Sequence, residues 1–223
     1  DLHCAPTVTA ADNLRAEGVE ASRIAVTGNT VVEATAESLP PPAEVPAIWK
    51  AFGVAPGRFV LATVHRPENV DDVNALERVI AALADLGLPV LLPVHPRTKE
   101  SIARFGLGER AGGLRCVEPV DHPTFLALAT GARMLVSDSG GIQEECTVIK
   151  KPLVVVRNST ERPESVAAGF ARLVRPGDDL ANAMSEMLSD EALARRLPTL
   201  PSPYGDGHAS ERIVELVTAL VGG

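Results

Sequence analysis

The run Leu135-Val136-Ser137-Asp138-Ser139-Gly140-Gly141-Ile142-Gln143-Glu144-Glu145 decides how this chain is read. Met134, Leu135 and Val136 predict a buried strand, the Ser-Asp-Ser-Gly-Gly segment a tight turn, and Ile142 onward a helix. Neither Gly140 nor Gly141 carries a Cβ, so a ligand has close access to the backbone at this strand-to-helix junction. The unpaired N–H groups of a first helical turn and the positive end of its dipole suit an anion. One turn on, Glu145 returns to the face of Gly141, near the anion but not in its place. A phosphate beside a hydroxyl-bearing sugar satisfies both. The segment equally fits a structural reading, in which Ser139 caps the helix and Glu144 and Glu145 are a solvated pair favoured by the dipole.

Outward from this junction the pattern repeats. Apolar runs at 59–64, 89–94, 114–117, 134–136, 152–156 and 172–174 predict strands. Helical patterns separate or follow them at 73–86, about 98–105, up to 128, 178–188 and 191–196. Strands alternating with helices imply right-handed crossovers and a parallel sheet covered on both faces. The expected class is α/β, a doubly wound, Rossmann-like sheet with ligands at the carboxyl ends of its strands. Before it come a helix at 7–18, capped by Thr7 or Thr9 and closed by Gly18, a strand at 24–26 and a helix from about 31 to the Pro40-Pro41-Pro42 break. That proline run is the best linker candidate. A last amphipathic helix is predicted at 208–221. The chain begins at Asp1 without methionine and reaches a strand almost at once, as though something upstream were missing.

Composition removes several classes of function. The 223 residues suffice for one large or two small domains. A net charge of -8 argues against a polyanionic partner, and 3% aromatics leave no stacking platform for nucleic acid. No apolar run approaches the roughly 20 residues that cross a bilayer, and no basic-then-apolar signal opens the chain, so a cytoplasmic protein with no membrane partner is expected. Cys4, Cys116 and Cys146 are odd in number and lack metal-type spacing, which predicts reduced and mostly packed thiols.

The polar clusters follow predicted strands. His65-Arg66-Pro67-Glu68-Asn69 leaves the first of the series, and His95-Pro96-Arg97 places a second His and Arg on the same rim. Such pairs suit a diphosphate, Arg as a fixed fork and His as a switchable donor; each alone also fits a hydrogen-bonded loop histidine beside a surface ion pair. After Val156, Pro163 suits a first helical position, which leaves Arg162 able to reach into the cleft or, structurally, to pair with Glu161. Pro203-Tyr204-Gly205-Asp206-Gly207-His208 reads as a ligand loop or as a tight turn.

Taken together, Ser137-Asp138-Ser139-Gly140-Gly141-Ile142-Gln143-Glu144-Glu145, Thr160-Glu161-Arg162-Pro163-Glu164, His65-Arg66-Pro67-Glu68-Asn69, Gly28-Asn29-Thr30-Val31 and Pro203-Tyr204-Gly205-Asp206-Gly207 resemble the non-hydrolysing UDP-N-acetylglucosamine 2-epimerases. The five matches keep the family's order and span nearly the whole chain. The resemblance implies one half of a GT-B-type two-domain fold. Residues 1–42 would be a connecting segment from an absent amino-terminal domain and 43–200 the UDP-binding domain. Residues 201–223 would be a turn and helix packing back toward the amino-terminal domain. It also implies that His65 contacts the diphosphate as the catalytic residue of this half. Ser139, Gly140 and Gly141 would hold phosphate oxygens, Glu145 the ribose hydroxyls, and Arg162 would complete the nucleotide site beside Phe125 near the uracil. His95 falls in a loop linked to an allosteric second UDP-sugar. No metal or redox cofactor is implied. The implied partners are a UDP-sugar and the missing domain or a partner chain, with a homodimer as the complete enzyme. The acid and base carboxylates of the family's chemistry match no residue here, so this chain alone is expected to be inactive. A hydrolysing epimerase, a nucleotide-sugar glycosyltransferase and a non-catalytic binding module are the competing expectations.

Overall fold

The computed structural model describes residues 2–176 and 178–222. Two compact units emerge, one of Asp1–Ser38 with Pro201–Gly223 and one of Leu39–Leu200. In the first, β1 (His3–Ala5) pairs in parallel with β2 (Ile24–Val26), with α1 (Val8–Ala16) and α2 (Val31–Ser38) following them. Thr7, not Thr9, caps α1, its hydroxyl accepting the Ala10 N–H at 3.1 Å.

The second unit opens with α3 (Val45–Ala51), a helix the sequence pattern does not announce. Its strands and helices then alternate: β3 (Val60–Thr63), α4 (Pro67–Val70), α5 (Val73–Ala84), β4 (Val90–Pro93), α6 (Pro96–Arg104), α7 (Gly108–Ala111), β5 (Arg115–Val117), α8 (His122–Gly131), β6 (Met134–Ser137), α9 (Gly140–Val148), β7 (Leu153–Val156), α10 (Pro163–Ala167), β8 (Ala171–Val174), α11 (Leu180–Ser189) and α12 (Glu191–Arg196). The last six strands make one all-parallel sheet in the order β5-β4-β3-β6-β7-β8. This is the α/β, doubly wound, Rossmann-like architecture that the alternation predicts.

Strand alternation divides the core into two layers. Val60, Ala62, Val90, Leu92, Met134, Val136, Val154 and Val156 face α5 and α11, meeting Leu76, Ile80 and Met184. Leu61, Leu91, Leu135, Leu153 and Val155 face the other way, onto Leu128 of α8, Ile142 and Cys146 of α9 and Leu193 of α12. Burial on both faces explains why these strands read as unbroken apolar runs. Trp49 of α3 locks onto α8, its indole N–H donating to the Ala127 carbonyl at 2.7 Å, and a Cβ on Gly131 would lie 2.6 Å from that ring nitrogen. The cysteines are free, Cys146 buried, Cys4 half-buried and Cys116 exposed, so only one of the three is fully packed.

In the first unit, α13 (Ala209–Val221) starts against α2: Glu33 accepts the N–H groups of Ala209 at 3.0 Å and Ser210 at 2.8 Å, together with the Ser210 hydroxyl. The Gly28 and Gly205 segments meet backbone to backbone. Asn29 N–H donates to the Tyr204 carbonyl at 2.8 Å, and a Cβ on Gly205, at φ +114°, would lie 3.2 Å from the Gly28 Cα. The 203–208 segment is thus a turn that closes this unit. Among the described residues no helix is long and apolar enough to cross a membrane.

Candidate functional site

β3 and β6 are neighbours in the middle of the sheet, yet the helices after them leave on opposite sides, α4 and α5 onto one core layer and α9 onto the other. Diverging connections open a crevice at the carboxyl ends of the two strands, where ligands of doubly wound sheets bind. The loops that carry His65 and Ser139 edge this crevice.

Asp138, wholly buried, ties the two loops together. Its carboxylate accepts the backbone N–H groups of His65 at 2.9 Å and Arg66 at 2.8 Å and the Asn69 side-chain amide at 3.0 Å. Asn69, also buried, donates onward to the Val156 carbonyl at 2.8 Å, which brings in the end of β7. His65 places Nδ1 3.3 Å from Asp138, and its ring centroid lies 5.2 Å from that of His95. Burial pushes the His65 pKa below its ordinary value; the Asp138 carboxylate opposes this, while His95, Arg66 and Arg97 add to it. His95 itself sits at the start of α6, its Nδ1 accepting the Arg97 N–H at 3.2 Å. Arg97 does not reach the rim as a free cation: its Nε donates to Asp71 at 3.1 Å.

Ser139 occupies the cap position of α9 without capping it, because its side chain makes no bond to the helix and its N–H is taken by the Ser137 hydroxyl at 3.0 Å. Gly140 and Gly141 open the helix with no positive φ. A Cβ on Gly140 would meet nothing within 4 Å, and one on Gly141 only the Glu145 Oε1 and Ser139 Oγ atoms, each at 4.0 Å. Neither glycine is demanded by backbone strain or internal packing. Space for something outside the chain remains as the physical reason for them.

The solvated pair does not form. Glu144 is buried and takes the Nε–H of Arg162, while Glu145, its side chain 13% exposed, receives His122 Nε2 at 2.9 Å from the start of α8. Phe125 stands on the same helix, half-buried against the α8–α9 core layer. The expected Glu161–Arg162 ion pair is also absent among the described residues. Arg157 holds Glu161 by two bonds of 2.7 and 3.1 Å, and the Arg162 N–H donates to Thr160 Oγ1 at 2.9 Å. Thr160 in turn donates to Gln143, which is fully buried and reaches the Ser139 carbonyl at 3.2 Å. His65 and His95 thus meet in one contact, and Ser139, Gly141, Glu145 and Arg162 are joined through α9. Asp138, Gln143, Asn69 and His122 are the supports that motif reading passed over. A charged residue directly after a four-residue buried strand was the available signal for Asp138.

A family model described as UDP-N-acetylglucosamine 2-epimerase matches residues 1–218. Among curated proteins, the chain is 36% identical over 232 residues to a probable UDP-N-acetylglucosamine 2-epimerase of Ralstonia nicotianae, covering 98% of this chain and 61% of that protein. It is 33% identical over 223 residues to the UDP-N-acetylglucosamine 2-epimerase of Methanocaldococcus jannaschii, covering 96% and 60%. The crystal structure of the M. jannaschii enzyme in complex with UDP-GlcNAc and UDP superposes with a TM-score of 0.84 at 31% identity, covering 98% of this chain and 61% of that one. The Staphylococcus aureus MnaA–UDP co-structure gives 0.84 at 33% identity, covering 100% and 60%. The wall teichoic acid polymerase TagF, at 13% identity and a TM-score of 0.56, shares the fold alone. The chain therefore spans about three fifths of the length of the relatives it matches. With the motifs and these matches in agreement, the chain belongs to the UDP-N-acetylglucosamine 2-epimerase family.

Proposed function

We propose that this chain is the UDP-binding half of an enzyme that interconverts UDP-N-acetylglucosamine and UDP-N-acetylmannosamine without hydrolysis. One observation carries the reading: two glycines at a helix start, free of backbone or packing constraint, face open space with a carboxylate one turn behind them. The phosphate oxygens sit on the N–H groups of Gly140 and Gly141 and on the Ser139 hydroxyl, and Glu145, steadied by His122, accepts from the ribose hydroxyls. Arg162, held by Glu144, completes the nucleotide site, Phe125 lies by the uracil, and His65 faces the diphosphate. His95, in ring contact with His65, belongs to the loop that senses a second UDP-sugar.

The reaction removes the C2 proton and breaks the C1–O bond, so that UDP leaves with the bonding pair and 2-acetamidoglucal remains. Proton return to the opposite face of C2 and re-addition of UDP complete the epimerisation. This half grips the leaving group, with no metal or redox cofactor. The carboxylates that move the C2 proton lie in an amino-terminal domain, supplied in the same polypeptide or by a partner. Residues 1–42 lead from that domain, and 201–223 return toward it; Val214 and Leu220 of α13, each 63% exposed, are apolar surface suited to such a contact. The complete enzyme is a cytoplasmic homodimer.

Calorimetry tests the reading directly. The chain should bind UDP and show no epimerase activity alone. Glu145→Ala should weaken binding by about 1.5–3 kcal/mol, the range of a hydrogen bond to a charged group. Unchanged UDP affinity in that variant removes Glu145 from the site, and interconversion of the two UDP-sugars by the chain alone overturns the division of labour.

A further inference from the structure

We propose that Asp138 is a positioning residue that fixes the proton of His65 on Nδ1, so that binding of a sugar diphosphate draws one proton from solvent onto His65 Nε2. The inference rests on the functional reading above for its ligand and on the geometry of the β6–α9 junction for the rest.

The buried charge beside the ring biases the tautomer. Asp138 is wholly buried and is met by three N–H donors, from His65 N, Arg66 N and the Asn69 amide. A carboxylate so surrounded acts only as an acceptor. His65 Nδ1 lies 3.3 Å from Asp138 Oδ1, an ion-pair contact without the alignment of a hydrogen bond, and the carboxylate attracts a hydrogen on Nδ1 where it would repel a lone pair, so it favours the Nδ1–H form. In a neutral ring, Nε2 then presents a lone pair.

The surroundings keep the ring neutral before ligand arrives. His65 is half-buried, and His95 from α6, with Arg66 and Arg97, disfavours a positive charge against the single opposing carboxylate of Asp138. A lone pair directed at a diphosphate is repulsive, whereas an Nε2–H is an ionised donor of the strong class. Two negative phosphates reverse the balance of charge around the ring, and the proton comes from solvent. The product is an imidazolium held between Asp138 at Nδ1 and a phosphate oxygen at Nε2, one proton taken up per ligand bound.

Nitrogen-15 NMR of the wild-type chain at pH 7.5 reads the tautomer without any substitution in the protein under test, the His65 signals being identified by their loss in His65→Gln. Without ligand, Nδ1 should appear as N–H and Nε2 as a bare nitrogen; an Nε2–H tautomer overturns the role of Asp138. UDP-N-acetylglucosamine is the probe for the second half, because its diphosphate is esterified at both ends and has no proton to release near neutrality. Calorimetry in buffers of different ionisation enthalpy should show uptake of a substantial fraction of one proton, with affinity rising as pH falls from 8 to 7. Tight binding without uptake sinks the coupling. Absence of binding sinks the functional reading instead, and the ligand-free tautomer still decides the part played by Asp138. In Asp138→Asn, the Nδ1–H preference should be lost and proton uptake should fall, with affinity reduced about 10-fold; a folded variant that keeps tautomer and uptake unchanged refutes the assignment.

Discussion

Gly140 separates folding from binding at a single position. Its φ is that of an ordinary helix and nothing lies within 4 Å of where a Cβ would stand, so alanine there fits the folded chain and restricts the unfolded one. Gly140→Ala should raise stability by about 0.4–1 kcal/mol in thermal denaturation. The added methyl would occupy the space assigned to a phosphate, so UDP affinity should fall in the same protein. A stabilised variant with intact affinity removes the phosphate from this helix start. At the same scale, the acidic residues show where sequence reading stops. The motif places Glu144 and Glu145 side by side, but only the packing of α9 against its neighbours sends one to Arg162 and the other to His122.

Elements differ in how openly the sequence declares them. The strands were legible because burial on both faces leaves no room for polar residues, and α5 because Leu76, Val79, Ile80 and Leu83 recur at helical spacing. Helices α3, α4 and α7, of 7, 4 and 4 residues, escaped because pieces so short owe their stability to tertiary contacts rather than to propensity. The expected Glu161–Arg162 pair gives way to other partners for each side chain, since Arg157 just after β7 takes Glu161 and the buried Glu144 of α9 takes Arg162, contacts set by the fold and not by neighbouring sequence. Two predictions belong here. Thr160→Val leaves buried Gln143 without its hydroxyl partner and Arg162 N–H without its acceptor, and should cost roughly 1–3 kcal/mol in denaturant unfolding. Gly131→Ala would drive a methyl into the Trp49 ring and pry α3 from α8, with a loss of about 1–3 kcal/mol by the same measurement.

For the molecule as a whole, two units of unlike construction share one chain. The larger is held by two apolar layers on a six-stranded sheet, the smaller by a two-stranded pair and by polar contacts between its loops and helices. Glu33 shows the difference: the Ser210 hydroxyl and the amides of Ser210 and Ala209 hold its carboxyl below the usual range. A depressed carboxyl contributes stability that is present above its unfolded pKa and lost as pH falls through its folded one. The amides that open α13 should accordingly lose protection, measured against their intrinsic exchange rates, as pH falls into the acid range, and Glu33→Gln should bring that loss to neutral pH; unchanged protection at 209–212 would discount the cap. The seam between α3 and α8 has an optical consequence. Trp49 is the sole tryptophan of the chain, so its emission follows the Leu39–Leu200 unit and is blind to the other, whereas helical circular dichroism sums over both. Coincident melting curves from the two signals would show a single cooperative transition; separated curves would give each unit its own melting temperature from an unlabelled sample.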